Sequence, residues 1–174
     1  MTDAPTMTTP EAELAIFRER SNQAVVQPLG NLALVTTQWI DSEQPVWGVP
    51  GLWAPLPAGE SGLRLTAAAA DGIRVDGELV EGTVAVAGKD SVEPADIVFS
   101  DTVRGFVIAG PTGNYALRVW DANSEGIRNF GGIDAYPYNP EWVVDAQFTA
   151  MPGTTMPFEH SKDDGETREL SIPG

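Results

Sequence analysis

Hydrophobic and polar positions near the start of the chain repeat with the period of a helix. Residues 10–24 predict one amphipathic helix, in which Thr9 supplies a cap and Pro10 suits the first turn. Glu11 and Glu13 lie where the positive end of the helix dipole favours acids. We expect this helix to pack across one side of a sheet.

From residue 32 onward the pattern changes to short, apolar, β-branched runs separated by turn residues such as Asp-Gly and Glu-Gly pairs. Many short strands of this kind are typical of an antiparallel fold rather than of alternating strands and helices. The predicted fold is therefore mainly β, an antiparallel β-sandwich or partly open barrel with one N-terminal helix. The predicted strands span residues 32–40, 63–67, 73–75, 79–80, 83–87, 96–99, 103–109, 115–120 and 143–150.

Turn chemistry predicts how some of these strands connect. Residues 110–114, Gly-Pro-Thr-Gly-Asn, predict a hairpin between the two strands that flank them, because glycine allows positive φ and proline pre-sets a turn. A second hairpin is predicted around Asp76-Gly77. Residues 67–70 are expected to end a strand, and the many prolines and glycines of residues 45–59 predict irregular chain.

Trp47 and Trp53 lie in that irregular segment. Rings of this size are seldom left wet without a reason, so we expect them to plug an edge of the core, the alternative being an aromatic platform for a ligand.

A length of 174 residues is typical of a single domain that can bury a core without disulfides. The composition turns polar and acidic after residue 150. We therefore expect a flexible N-terminus over residues 1–9, one β-rich domain over residues 10–158 and an acidic polar tail over residues 159–174.

The charge of the chain is strongly acidic: 10 Lys and Arg oppose 25 Asp and Glu, a formal net charge of −15. Nucleic acid and a membrane surface are not expected as partners, because the long-range field repels anions. No cysteine is present, so disulfides and thiolate metal sites are excluded. Neither a secretory signal nor a run of about 18 apolar residues is seen, and the expected location is the cytoplasm.

Metal and nucleophile chemistry has little support in the sequence. His160 is the only histidine, so neither a zinc site nor a serine triad with Ser161 is expected. The acidic residues 163–166 lack the spacing of a calcium loop and are read as a solvated charge run. Residues 82–90 lack the spacing and the Ser or Thr of a phosphate-binding loop. We predict no metal and no cofactor.

Paired carboxylates suggest a hydrolase as the alternative function. Two acids facing each other across a cleft could act as acid and base on a glycoside, although Asp and Glu also cap strands and turns. This alternative places the acids near the loop of residues 130–142. The candidate acids are Asp96, Asp101, Asp121, Asp134 and Glu141, and the candidate sugar platforms are Trp120, Tyr136, Tyr138 and Trp142.

Three arginines suggest a different chemistry. In so acidic a chain Arg104, Arg118 and Arg128 are expected to be paired, Arg118 for instance with Asp121, but they could also clamp a small carboxylate or phosphate. The loop of residues 130–142 is either a rigid cover over one end of the sheets or one wall of a pocket. The candidate pocket consists of Arg118, Arg128, Phe130, Tyr136, Tyr138 and Trp142.

Five segments together resemble a known family. They are residues 47–53, 63–67, 71–77, 115–121 and 130–142, among them Tyr-Ala-Leu-Arg-Val-Trp-Asp and Phe-Gly-Gly-Ile-Asp-Ala-Tyr-Pro-Tyr-Asn-Pro-Glu-Trp. Their order and spacing are similar to those of the bacterial family known as domain of unknown function 1684 (DUF1684). The resemblance covers about residues 14 to 160.

The resemblance implies a β-rich soluble protein and brings no settled reaction with it. Members of the family continue into further strands that carry an Asp-x-Thr-Ser-Gly segment, a Thr-Tyr pair and a Gly-Arg pair, none of which this chain contains. We therefore expect either a short member or a fragment, and an unpaired sheet edge that favours self-association.

The expected function is a soluble module that binds an unidentified small molecule or associates with its own copies. Self-association would give a homodimer through an open sheet edge. The alternative is the hydrolase described above.

Overall fold

The computed structural model of the protein describes residues 9–91, 93–150, 152–159 and 167–172. Contacts between residues group the chain into two compact units, Met1–Tyr136 and Pro137–Gly174. The chain is mainly β, as predicted, with three antiparallel sheets and an N-terminal helix. The domain limits inferred from composition stay predictions.

Helix α1, Pro10–Val25, begins where the sequence predicts. The Thr9 hydroxyl caps it by accepting a hydrogen bond from the N–H of Ala12 at 3.3 Å. No residue of the helix is buried, and Ile16 and Phe17 are exposed. This is less burial than a helix packed across a sheet would have, so the expected packing is not found.

One sheet of the first unit has six antiparallel strands. In order across the sheet they are β1 (Leu34–Trp39), β10 (Tyr115–Asp121), β9 (Val103–Ala109), β8 (Ile97–Val98), β5 (Arg74–Val75) and β6 (Glu78–Leu79). β1 and β6 therefore form the two edges of this sheet.

The other sheet of the first unit has four antiparallel strands. In order they are β2 (Gln44–Pro45), β3 (Leu52–Pro55), β4 (Leu63–Ala67) and β7 (Gly82–Val86). The prediction of irregular chain over residues 45–59 is therefore wrong at β3. Burial of Trp53 favours a strand there in spite of the turn residues around it, and Pro55 stands at its end, where proline is tolerated.

The two sheets pack face to face across one core, which makes the first unit a β-sandwich, as predicted. The four-stranded sheet contributes Trp53, Leu63, Leu65, Ala67 and Val86, and the six-stranded sheet contributes Val75, Ile97, Val107, Leu117 and Val119. Trp53 is fully buried and lies edge-on to Phe99, with ring centroids 6.2 Å apart, whereas Trp47 is 71% exposed. The expectation that both tryptophans plug the core is thus met by Trp53 alone.

A glutamine joins the two sheets at one edge. The Gln38 side chain of β1 donates to Gln44 Oε1 at 3.2 Å and to the carbonyl of Pro45 at 2.9 Å. Its Oε1 accepts the N–H of Trp47 at 3.3 Å. These bonds attach β2 to the end of β1.

Both predicted hairpins are confirmed. β9 and β10 pair from Val103 opposite Asp121 to Ala109 opposite Tyr115. β5 and β6 pair around Asp76 and Gly77, both of which have positive φ, 53° and 85°.

Two short helical segments were not predicted in the first unit. Ala69–Asp71 is a 3-10 helix where a strand end was expected. Helix α2, Glu125–Arg128, is capped by Ser124, whose hydroxyl accepts the N–H of Ile127 at 3.2 Å.

The second unit contains a hairpin of β11 (Thr154–Glu159) and β12 (Thr167–Ile172), preceded by a 3-10 helix, Pro140–Trp142. The strand predicted over residues 143–150 is wrong, because this segment pairs with no strand of the described residues and exposes its apolar side chains, Phe148 included. β12 lies where the sequence predicts only a polar tail.

Candidate functional site

The six-stranded sheet has a second face, opposite the core. The strand register shows which residues lie side by side on this face. Arg118 of β10 lies between Phe106 of β9 and Thr37 of β1, and Trp120 of β10 pairs with Arg104 of β9. Because side chains alternate along a strand, these residues share one face. We call it the outer face, and it comprises Thr37, Trp39, Arg104, Phe106, Ile108, Ala116, Arg118 and Trp120.

An aromatic pair and a lysine occupy the centre of the outer face. The rings of Phe106 and Trp120 meet edge to face, with centroids 5.5 Å apart and an interplanar angle of 78°. The Lys89 ammonium lies 4.5 Å from the Phe106 centroid and 6.0 Å from that of Trp120. Its position follows from the Lys89 N–H, which bonds the carbonyl of Val107 at 2.9 Å and holds the turn against β9. Lys89 therefore makes a cation–π contact.

Arg118 is half-buried beside the same phenyl ring. Its Nε is fully buried and has no hydrogen-bond partner in the described part of the chain. Within the described residues neither Arg118 nor Lys89 forms an ion pair. The face thus carries two cations whose charge no carboxylate of the described chain neutralises.

The predicted ion pair between Arg118 and Asp121 is wrong. The two residues are three apart on β10, so their side chains leave opposite faces of the sheet. A carboxylate oxygen of Asp121 instead accepts the N–H of Asn123 at 2.8 Å, which closes the turn after the strand.

Arg104 contrasts with these two cations. Its Nη1 lies 3.2 Å from Asp96 Oδ2, and both side chains are about half exposed. An exposed ion pair of this kind contributes little to stability, but the Asp96 carboxylate neutralises the charge of Arg104. Arg118 and Lys89, rather than Arg104, are the cations that a ligand could engage.

The other predicted site residues of the first unit have different surroundings. Arg128 is exposed at the end of α2, and its Nη1 donates to the carbonyl of Asn123 at 2.6 Å. Phe130 is half-buried after the same helix. Tyr136 is 78% exposed, and its carbonyl accepts a hydrogen bond from the guanidinium of Arg18.

Tyr138 and Trp142 belong to the second unit. Trp142 ends the 3-10 helix, which Asn139 caps by accepting the N–H of Glu141 at 3.0 Å, and its ring is exposed. The structure therefore distributes the six predicted pocket residues over the two units. Their role as a joint pocket stays a prediction.

Two cavities of the first unit lie away from these residues. One, of about 230 Å³, is found at an end of the sandwich and is lined by Ile40, Leu63 and Tyr115 among others. The other, of about 380 Å³, lies between β6 and β7 and is lined by Glu78 and Glu81 among others. None of the six predicted pocket residues lines either cavity.

Asp90 anchors the turn that carries Lys89. Its carboxylate accepts the hydroxyl of Ser61 at 2.8 Å and that of Tyr115 at 2.9 Å. These two bonds stabilise the charged form, so the pKa of Asp90 lies below its ordinary value of 3.8, with the Ser61 bond the larger cause. Asp90 thereby ties the turn to the start of β10.

None of the described contacts brings two of the candidate acids together across a cleft. Asp96 pairs with Arg104, and Asp121 closes a turn. Among the described residues, no group of three or more metal-ligating side chains is brought together, and no helix is long and apolar enough to cross a membrane. His160, Ser161 and residues 163–166 lie outside the described residues.

Sequence reasoning missed Phe106 and Lys89 as site residues. The register of the predicted hairpin was sufficient to place Phe106 opposite Arg118. Lys89 carried no such signal, because its contact with the ring depends on a turn 17 residues before Phe106 in the chain.

Comparisons of the chain with protein-family models, curated proteins and solved structures found no match. Membership of the DUF1684 family therefore stays a prediction.

Proposed function

We propose that the protein is a small-ligand-binding module whose outer face takes a small organic anion, a carboxylate or phosphate carried by a flat apolar group. The observation that carries this proposal is the buried Nε of Arg118, next to Phe106, for which the described residues supply no hydrogen-bond partner. A buried donor without a partner costs about 1–3 kcal/mol. An anionic acceptor would offset that cost with a charge-assisted bond.

The charge balance of the chain supports an external anion. With 25 acidic against 10 basic residues, a surface cation has many carboxylates to pair with. Arg64 and Arg104 each pair with one, at 3.2 Å in both cases. Arg118 and Lys89 pair with none in the described residues, although they flank the same ring.

The aromatic pair supports a ligand with a flat apolar part. Phe106 is only half-buried, so a ring held by its anionic group at Arg118 could stack beside it. Small ligands are usually oriented in this way, by a few polar groups on an otherwise apolar surface.

The test compares four compounds with the same ring and different charge: phenyl phosphate, benzoate, benzyl alcohol and benzylamine. Binding is followed by backbone amide NMR shifts on a labelled chain. We expect the two anions to bind and to shift the amides of Phe106, Arg118 and Trp120. Benzyl alcohol should bind more weakly and benzylamine not at all. Binding of benzylamine as tight as that of benzoate would contradict the proposal.

A matched pair of variants locates the anion. Arg118→Gln should weaken benzoate binding about tenfold, or about 1.4 kcal/mol. Arg64→Gln, on the four-stranded sheet, should leave it unchanged, because Arg64 already pairs with Glu43. Equal losses in both variants would show that binding depends only on the overall charge.

The natural ligand is sought separately. Native mass spectrometry of the purified wild-type chain should show a small stoichiometric addition to the mass of the chain that is weaker in Arg118→Gln.

The proposed location of the protein is the cytoplasm, and its proposed family is DUF1684. A protein without cysteines is unaffected by the reducing conditions there.

A further inference from the structure

The β1 edge of the six-stranded sheet is unusual for this chain. β1 reads Leu-Val-Thr-Thr-Gln-Trp and contains neither a charge nor a proline. It pairs with β10 on one side, and no described strand pairs with it on the other. Natural edge strands are normally protected by charges, prolines, bulges or short length. β1 has a bulge between Leu34 and Thr36, but the residues that follow pair regularly.

The hydrogen-bond pattern identifies which backbone groups of β1 point away from the sheet. Ile40, next after the strand, donates inward to the carbonyl of Tyr115 at 3.0 Å. Because the direction alternates along an antiparallel strand, Gln38 and Thr36 also bond inward, and Thr37 and Trp39 point outward. The Trp39 carbonyl fits this assignment, since it accepts the Gln44 side chain at 3.2 Å. The N–H and C=O of Thr37 therefore face outward without a partner in the described chain.

The other edges of the two sheets are protected. β2 and β6 have two residues each, and β2 ends in Pro45. β7 has five residues, but its edge borders the cavity that Asp76, Glu78 and Glu81 line with carboxylates. β7 is itself uncharged, so β1 is distinguished as the longest edge strand among the described strands of the first unit.

We propose that β1 is a self-association strand: two copies of the chain pair antiparallel along β1, with Thr37 of each copy at the two-fold axis. The net charge of −15 makes copies repel one another, and an uncharged strand is a contact that adds nothing to this repulsion. In a two-fold symmetric dimer both copies contribute the same uncharged strand to the contact. Pairing would also cover Val35 and Trp39, which are 36% and 41% exposed.

The two-fold axis of an antiparallel strand pair is perpendicular to the sheet. The outer faces of both copies therefore lie on the same side of a continuous sheet. Arg118 and Thr37 are neighbours in register, so the two Arg118 side chains are three strand spacings apart, about 14 Å. This inference does not depend on the ligand proposed above.

Cysteine cross-linking tests the strand and its register. The chain has no cysteine, so Thr37→Cys introduces a single thiol. Directly opposite residues of a hydrogen-bonded antiparallel pair have Cα atoms about 5.5 Å apart, within disulfide range. Mild oxidation should convert Thr37→Cys to a covalent dimer. Ala85→Cys, exposed on the β7 edge, is the matched control and should stay monomeric on a denaturing gel.

Backbone substitution tests whether edge hydrogen bonds hold the dimer. Thr37→Pro removes an outward N–H and leaves the inward bonds of β1 intact, so light scattering should show a folded monomer. Thr37→Val keeps the N–H and should stay dimeric. If Thr37→Pro does not fold, the cross-linking of Thr37→Cys alone decides whether two copies pair along β1. Raised salt should strengthen the wild-type dimer by screening the repulsion between copies.

Three results would overturn the proposal. The first is a monomeric wild-type chain that gives no cross-link through Thr37→Cys, in which case the edge accepts a strand of another protein or none. The second is a folded Thr37→Pro variant that remains dimeric. The third is equal cross-linking through Ala85→Cys, which would indicate random collision.

Discussion

The inner and outer faces of β9 and β10 are built from alternate residues of the same two strands. On the inner face Val107, Leu117 and Val119 are at most 1% exposed, because the other sheet covers them. On the outer face Phe106 and Arg118 are half-buried, although Ala116 and Trp120 beside them are buried. One face is therefore closed by packing against the other sheet, whereas the other leaves part of the Phe106 and Arg118 side chains exposed.

This difference shows why neighbouring residues have different roles. Leu117 and Arg118 are adjacent in the chain, yet Leu117 contributes to stability through burial, whereas the Arg118 Nε is buried without a hydrogen-bond partner among the described residues. Residues that contribute to stability and residues proposed for binding thus alternate along the strand, on its two faces. Changes at alternate positions should separate them experimentally.

The largest effect is expected at Leu117. Leu117→Ala leaves a cavity in the closed core and should lower the free energy of unfolding by about 2–5 kcal/mol. Arg118→Ala, one residue further on, should leave it unchanged or raise it by up to about 1–3 kcal/mol, because the change removes a buried donor that has no hydrogen-bond or ion-pair partner among the described residues. Urea unfolding followed by tryptophan fluorescence measures both. Equal losses would mean that the outer face is also part of the core.

A smaller loss is expected from filling space on the inner face. A Cβ at Gly105 would lie 2.8 Å from a ring carbon of Phe99, which itself packs on Trp53. Gly105→Ala should therefore cost about 1–3 kcal/mol of unfolding free energy. Gly131→Ala is the control, since a Cβ there meets no atom within 4 Å. If both changes are neutral in the same urea experiment, the inner face is less tightly packed than the distances indicate.

On the outer face the cation–π contact should contribute less. Phe106→Leu keeps apolar bulk but removes the ring that Lys89 faces at 4.5 Å and that also meets Trp120 edge to face. We expect the cation–π contact to account for about 0.5–1 kcal/mol of the resulting loss of unfolding free energy. A double-mutant cycle with Lys89→Met isolates the contact. A coupling energy of zero would show that Lys89 and the ring do not interact in solution.

The smallest effect is a pH dependence that originates at Asp90. Its pKa is lowered in the folded state by hydrogen bonds from Ser61 and Tyr115. The stabilisation is therefore present above the ordinary value of 3.8 and is lost as the pH falls below it through the folded-state pKa. Unfolding of the wild type and Asp90→Asn from neutral pH downward should show this slope in the wild type and a flatter one in the variant. The same slope in both would assign the effect to other acids.

Local signals predicted the elements whose determinants lie close together in the sequence. Residues 110–114 predict the hairpin of β9 and β10, and Asp76-Gly77 predicts that of β5 and β6, because turn geometry depends on a few adjacent residues. Thr9 likewise predicts the start of α1. The antiparallel sandwich follows from the number and length of such strands.

Non-local signals were wrong or absent. Residues 143–150 have the composition of a strand but pair with no strand of the part of the chain that the structure describes. β3 is a strand in spite of the prolines around it, and its Trp53 ring is buried in the core. Composition indicates which secondary structure a segment can form. Whether the segment forms a strand depends on the segments that pack and pair with it.

The sequence by itself determined the class of this protein: an acidic, cysteine-free chain of short antiparallel strands with a capped N-terminal helix. Only the tertiary structure decided that Lys89 lies over Phe106 and that Arg118 faces away from Asp121. It also decided that β1 is left as an open edge. The physical reason is that turns and caps act within a few residues, while strand order and register bring together residues that are distant in the chain.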